Sequence, residues 1–283
     1  MSKRNSQQAK SAARERLRVE RERQAKKDKA KRQAIVAGSV VAVLAIAGVV
    51  SYLVVQGNKP SHWEQALDAK SADVVAPAHT TGKDGTTVVI GKDSAKKTLK
   101  LYEDSRCPIC ASFEQTVGPT VLKDVDDGKY KIQYVGATFI DGDSTGKGQI
   151  GSNGEGSKNA LSALGAALNV SSDAFLDYKA ALYSKQFHPE ETDDKFKSDD
   201  YLIKVANTVD ALKNDKAFQK DVKNGTYDEW AMKMSTTFDK NKDGVNGTPS
   251  LVMDGKKLTG SDGQNAPMTV AEYKTALDKA LKA

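Results

Sequence analysis

The sequence predicts an α/β domain whose sheet is interrupted by a block of helices, preceded by one transmembrane helix. Three observations predict it. Ala34 to Val55 is a run of 22 residues without a charge, and short β-branched segments lie on both sides of a long stretch with helical spacing. A content of 28% charged and 39% hydrophobic residues over 283 positions is that of a folded chain, neither collagen-like nor disordered throughout.

Residues 1–33 form a basic arm with 13 Lys/Arg against 4 Asp/Glu, whereas the rest of the chain carries 30 against 33. The net charge of +6 therefore sits in the arm, and the folded bulk has no nucleic-acid footprint. No aromatic residue precedes Tyr52, so the arm offers bases nothing to stack on. Its expected partner is a surface of anionic lipid headgroups, at about 1 kcal/mol per nearby cation.

Residues 34–55 are long enough as a helix to cross a hydrocarbon core of about 30 Å. A secretory signal peptide competes with this reading, but the basic and apolar regions are both too long for one, and no small-x-small cleavage site follows. An uncleaved, single-pass anchor in the cell membrane is expected. The positive flank keeps the N-terminus cytoplasmic and places everything after residue 55 outside.

Residues 56–85, with Gly57, Pro60, Pro77, Gly82 and Gly85, read as an extracytoplasmic stalk containing a short helical stretch around Trp63 to Ala69. The folded domain then occupies 86–283. Alternating and β-branched residues predict strands at Thr86 to Ile90, Thr98 to Tyr102 and within Lys129 to Ile140. Gly142 to Gly156 is a loop, and residues 157–238 carry helical spacing such as Phe175, Tyr178, Leu182. Tyr201, Phe218, Tyr227 and Trp230 are expected in the core of that block, with His188-Pro189 in a loop. A hairpin of Ser250 to Met253 and Lys257 to Thr259, turning at Asp254 and Gly255, leads to a last helix from Thr269 to Leu281. Asp239, Asn241 and Asp243 match the first half of a calcium loop, but Ser250 stands where the bidentate Glu belongs, so a polar turn is the expectation.

The only cysteines are Cys107 and Cys110, placed between the second strand and the apolar-patterned Ala111, Phe113 and Val117. On the first turn of a helix, unpaired N–H groups and the positive dipole end favour a thiolate. Cys107 at the cap is then the exposed, low-pKa nucleophile and Cys110 its shielded partner, with Pro108 suited to a first turn that needs no N–H donor. Gly118-Pro119 ends or kinks this helix. A structural disulfide three residues apart would constrain little. A zinc site lacks ligands, because His62, His79 and His188 have no ligand spacing. Buried inert thiols remain a third reading, and redox exchange is favoured over all of them. No phosphate loop, serine triad or nucleotide fingerprint is present, and neither a cofactor nor a metal is expected.

The stretch from Tyr102 through Glu103, Asp104, Ser105, Arg106, Cys107, Pro108 and Ile109 to Cys110, followed far downstream by Val245-Asn246-Gly247-Thr248-Pro249 and the Ser250 strand, resembles the DsbA-like thioredoxin-fold disulfide oxidoreductases. The likeness is to their membrane-anchored bacterial members in particular, and covers roughly residues 85 to 282 as an order of elements. It implies a thioredoxin-like fold with a helical insertion, in which a cis Pro249 lies against the catalytic pair Cys107 and Cys110. It further implies that the Thr248 backbone, with Pro108 and Ile109, meets an extended substrate. The implied partners are exported cysteine-containing proteins and a quinone-linked membrane reoxidase. Two departures matter. Leu101 stands where such proteins carry a buried acid, and Glu103 and Asp104 are expected to be solvated strand-end carboxylates rather than replacements for it. Pro-Ile replaces the Pro-His of strong oxidants, which implies a milder oxidant and leaves a membrane-tethered reductant or isomerase as the alternative activity. A noncatalytic chaperone or binding module is the alternative outside enzymes.

Overall fold

The two longest strands show how the domain is layered. Strand β2 (Thr98–Asp104) and strand β3 (Lys131–Ala137) both begin with alternating burial and end with four consecutive buried residues. Alternation marks a half-covered face, and continuous burial marks a sheet covered on both sides. The computed structural model describes Arg23, Lys27 and residues 62–70, 74–82, 85–142 and 153–282. The chain divides into Met1–Pro60 and Ser61–Ala283, and the domain lies in the second unit. The span expected at 34–55, most of the basic arm and residues 143–152 of the expected loop lie outside the described residues. Among the described residues, no helix is long and apolar enough to cross a membrane.

Helix α1 (His62–Asp68) precedes strand β1 (Val88–Ile90), and the sheet then continues through β2. Helices α2 (Pro108–Thr116) and α3 (Gly118–Asp126) cross over to β3, with Val117 as the joint between them and Pro119 in the first turn of α3. The block of helices follows: α4 (Gly156–Val170), α5 (Ser172–Leu182), a short 3₁₀ turn (Lys195–Lys197), α6 (Asp199–Ala206), α7 (Lys216–Asn224) and α8 (Asp228–Asp239). Strands β4 (Ser250–Met253) and β5 (Lys256–Leu258) and helix α9 (Val270–Lys282) complete the chain.

The sheet order is β1-β3-β2-β4-β5. Strands β2 and β3 are parallel from Thr98↔Lys131 to Asp104↔Ala137, and the other pairs are antiparallel. Parallel neighbours need a crossover, which α2 and α3 supply. Ser171 accepts from the Ala174 N–H and Asp215 from those of Ala217 and Phe218, so short polar side chains start α5 and α7. Gly225, at φ +60°, ends α7 in the left-handed conformation that glycine adopts without strain.

The helical block is part of the core. Phe218, Tyr227 and Trp230 are buried as expected, and Tyr201 is half-buried. The Trp230 indole donates to the Gly85 carbonyl at 2.7 Å. Helix α1 buries Trp63 and Ala66 against Met232 of α8, so part of the segment expected to be a stalk is built into the fold. Helix α4 rests on β3 at Gly136, where a Cβ would come within 2.4 Å of a methyl carbon of the buried Leu161. Gly136→Val is therefore expected to lower stability by about 1–3 kcal/mol through overpacking. The check is a urea melt showing a lower midpoint at nearly constant slope; an unchanged midpoint would mean that α4 and β3 are not in contact there.

Candidate active site

Strand pairing assembles the site. Tyr102 of β2 lies opposite Ser250 of β4, so the chain leaving β2 and the chain approaching β4 meet at one end of the sheet. The first carries Cys107 and Cys110, and the second carries Thr248 and Pro249, joined by a cis peptide bond. As a thiol, Cys107 Sγ donates to the Thr248 carbonyl oxygen at 3.6 Å.

Cys107 caps α2 with extended backbone (φ −69°, ψ 117°), and its sulfur accepts from the Cys110 N–H at 3.4 Å. Pro108 occupies the first turn, where a missing N–H costs nothing. Both cysteines are free thiols. Cys107 is 5% exposed and Cys110 fully buried, packed with Ala111 and Tyr183, while Ile109 is 54% exposed. The expectation of an exposed Cys107 is thus corrected: the Thr248 carbonyl and its apolar neighbours cover it, and Ile109 is the open residue of the motif.

The same surroundings drive the two thiols apart. Hydrogen bonding from the Cys110 thiol, with further contributions from the Cys110 N–H, Thr248 and the Ile109 N–H, outweighs burial and lowers Cys107 to about 6. Burial pushes Cys110 well up, followed by its hydrogen bond to Cys107 and the negative charge of Glu103.

Glu103 and Asp104 are both fully buried, which corrects the expectation of solvated carboxylates. They point into two separate ionic clusters. Behind Cys110, Lys179 Nζ from α5 lies 3.0 Å from Glu103 Oε2 and 2.7 Å from Glu114 Oε2 of α2, all three nearly or wholly out of solvent. Lys179 also sits 5.6 Å over the ring of Tyr183. Burial, then repulsion from Glu114, raises Glu103 well above the ordinary carboxylate range, against the pull of Lys179. Burial opposes the charge on Lys179, but the two carboxyl groups outweigh it and hold the ammonium. Glu103 therefore releases its proton less readily than an ordinary carboxyl. Glu103 Oε1 has no hydrogen-bond partner.

The second cluster holds the turn before Cys107. Asp104 accepts from the Arg106 N–H at 3.0 Å, the Ser157 hydroxyl at 2.6 Å and the Ile140 N–H at 3.1 Å. Burial and the charge of Asp141 nevertheless raise it to about 7. The Arg106 guanidinium donates to Asp141 at 2.6 Å and to the carbonyls of Glu191 at 2.6 Å and Asn153 at 3.0 Å, and pairs with Asp194 at 3.4 Å. Asp141 accepts from the Ser157 and Lys158 N–H groups, and Asp194 from those of Glu155 and Gly156. Arg106, together with Lys158 at 3.2 Å from Asp141, offsets the charges of the two carboxylates at the start of α4 and ties the turn before Cys107 to the helical block.

The calcium-like turn serves the sheet instead. The Asp243 carboxylate accepts from Lys100 at 2.7 Å and Tyr102 at 2.5 Å, and Asn241 Oδ1 accepts from the N–H groups of Asp243 and Val245. His188 lies in the loop after α5, its ring stacked 5.9 Å from Tyr183. Sequence reasoning missed Arg106, Glu114, Asp141, Lys179 and Tyr183. One signal was available: Lys179 lies on the apolar stripe of Phe175 and Leu182, where a charge needs a partner.

Known proteins resemble this chain in sequence and in fold. The chain is 30% identical over 99 residues to the disulfide bond formation protein D of Bacillus subtilis (strain 168), a match covering 35% of this chain and 39% of that protein. It is 24% identical over 243 residues to the probable disulfide bond formation protein D of Bacillus cereus, covering 86% and 93%. The DsbA structure of Mycobacterium tuberculosis in its oxidised form shares the fold at a TM-score of 0.51 and 23% identity, covering 67% of this chain and 99% of that one. The profile described as thioredoxin matches residues 83–279, a stretch that includes the cysteine turn, the helical block and the cis-proline strand. The chain belongs to the thioredoxin family, and the curated relatives it resembles are disulfide bond formation proteins.

Proposed function

We propose that this protein introduces disulfide bonds into exported cysteine-containing proteins, with Cys107 as the exchanging sulfur. The observation that carries the proposal is the split between the two thiols: one sulfur favoured as thiolate at a helix cap beside the Thr248 carbonyl, the other buried and favoured as thiol. In the oxidised protein a substrate thiolate attacks Cys107 Sγ. A mixed disulfide forms, and the Cys107–Cys110 bond breaks with its electron pair going to Cys110. Cys110 then takes a proton, and the buried Glu103, whose carboxyl ionises less readily than usual, is the donor we assign to it. A second substrate thiolate attacks the substrate sulfur and expels Cys107 as the stabilised thiolate. Two electrons have passed from the substrate dithiol to the pair.

Thr248 offers its backbone, and Pro108, Ile109 and Pro249 the surrounding surface, to an extended substrate segment. A quinone-linked membrane partner reoxidises the pair, and the basic arm holds anionic headgroups on the cytoplasmic side of a span at 34–55. Tethering keeps both reactants at high effective concentration. Each of these features rests on the sequence and on the resemblance.

Cys107→Ala is expected to abolish oxidation of a reduced, unfolded RNase; Cys110→Ala, left with no disulfide to donate, is expected to abolish it too, while its Cys107 thiolate attacks a substrate disulfide and stays bonded to one of the two sulfurs. Full activity of Cys107→Ala would point to a chaperone instead. With Cys107 lowered to about 6, above the about 3.5 of the strongest oxidant, a reduction potential between about −270 mV and about −120 mV is expected. A measured value at or below the lower bound would make the protein a reductant.

The lowered Cys107 pKa also links redox state to pH. A depressed folded pKa stabilises the reduced fold fully above the unfolded thiol value near 9, and that stabilisation disappears as pH falls through about 6. The melting temperature of the reduced form relative to the oxidised form is therefore expected to rise from pH 6 to pH 9, with thiolate absorbance at 240 nm titrating near 6. Glu103→Gln removes the proton store and should change the pH profile of mixed-disulfide formation while leaving the Cys107 titration close to wild type. An identical profile would remove Glu103 from the mechanism.

A further inference from the structure

Beside the covered sulfur lies an open cleft of about 510 Å³ that shares Thr248 and Pro249 with the site. Ile109, Pro249, Ala266 and Met268 give it apolar walls, and Asp262 and Glu272 are the charged residues along it. The far wall is the loop from β5 to α9. Both carboxylates are fixed there by short local bonds. Asp262 accepts from the N–H groups of Gln264 at 2.9 Å and Asn265 at 3.0 Å, and from the Asn265 side chain at 2.7 Å. Glu272 accepts from the Ser261 hydroxyl at 2.6 Å, the Ser261 N–H at 3.1 Å and the Thr269 hydroxyl at 3.0 Å.

We infer that Asp262 and Glu272 determine specificity: the cleft takes the substrate segment next to the reacting cysteine and selects segments that pair an apolar residue with a Lys or Arg. The inference rests on the oxidoreductase reading and adds the substrate class to it. Three observations support this occupant. The cleft is continuous with the surface that carries Cys107, so a chain bonded to that sulfur passes along it. A volume of several hundred Å³ suits a few side chains of a polypeptide. The cleft offers one sign of charge: Lys256, Lys257 and Lys279 line the adjoining hollow, which shares Gly260, Ser261 and Glu272 with this cleft, and do not line this one.

The charges are reliable over the working range. Hydrogen bonds, led by the Gln264 N–H, hold Asp262 below the usual carboxylate range, and the Ser261 hydroxyl leads those that bring Glu272 to about 2. Neither has to be ordered when a cation arrives, because the loop already fixes both. Being solvent-exposed, they act through a field that salt screens, and they affect the encounter more than the bonded complex.

The test uses two reduced peptides that are identical except for Lys or Glu two residues from a cysteine flanked by Leu. Each peptide's second-order rate with the oxidised full-length protein is divided by its rate with the uncharged 2-hydroxyethyl disulfide, which cancels the peptide's own thiol acidity without adding a charge preference. The Lys peptide is expected to react about three- to tenfold faster at low ionic strength, and the ratio to fall towards one in 0.5 M salt. In the Asp262→Asn/Glu272→Gln double variant the low-salt ratio should also fall towards one. The salt series on the wild type decides the matter if that variant does not fold. A wild-type ratio of one at low salt, with both peptides oxidised, overturns this inference alone, as does a ratio that survives the double substitution. Failure to oxidise either peptide overturns the oxidoreductase reading and this inference with it.

Discussion

The site depends on one sulfur being held between the open N-terminus of a helix and a carbonyl from another strand. Cys107 receives the Cys110 N–H from one side and meets the Thr248 carbonyl on the other. Neither contact is made by the cysteine motif alone. The first requires α2 to begin at Pro108, and the second requires the Tyr102↔Ser250 pairing that fixes where β4 begins. A one-residue slip of that pairing would turn every β4 side chain to the opposite face and carry Thr248 away from the sulfur. The register of the central strands is thus part of the chemistry.

Much of this frame can be read from local sequence. The β-branched strands, the helical spacing of 157–238, the Asp254–Gly255 hairpin and the last helix each bury a periodic set of apolar residues, so pattern and structure agree to within a few residues. The cysteine turn is legible for a different reason: Pro108 and the apolar residues after Cys110 announce a helix start. The two acids before it are not. Strand-end carboxylates are ordinarily solvated, and what buries Glu103 is a lysine 76 positions away. The carboxylates around Asp104 are offset by Lys158 and by the Arg106 guanidinium, whose own hydrogen-bond acceptors lie 35 to 85 positions downstream. Burial of that kind belongs to a pairing, and no window of residues around either acid contains it.

Helix α1 teaches the same lesson from an apolar residue. Glycines and prolines on either side make 56–85 look like a linker, but Trp63 is 2% exposed because Met232 of α8 receives it. A single tryptophan in a polar stretch carries no period, so its burial becomes visible only when α8 is in place.

The buried charges also explain why the helical block is more than an appendage. It supplies Lys179 and Tyr183 behind Cys110, and Ser157 and Lys158 beside the turn before Cys107, so it grips the cysteine turn at both ends. An apolar block of similar volume could bury as much surface, and buried ion pairs are a weak source of net stability. They are intolerant of error, however, since an uncompensated buried charge costs several kcal/mol. If α5 shifted by one turn, Glu103 and Glu114 would lose their shared cation; if α4 moved off the sheet, Arg106 would lose Asp141. The ionic clusters therefore restrict which packing of the block the domain accepts. The accepted packing is the one that sets Glu103 on Lys179 behind Cys110 while Cys107 faces the Thr248 carbonyl.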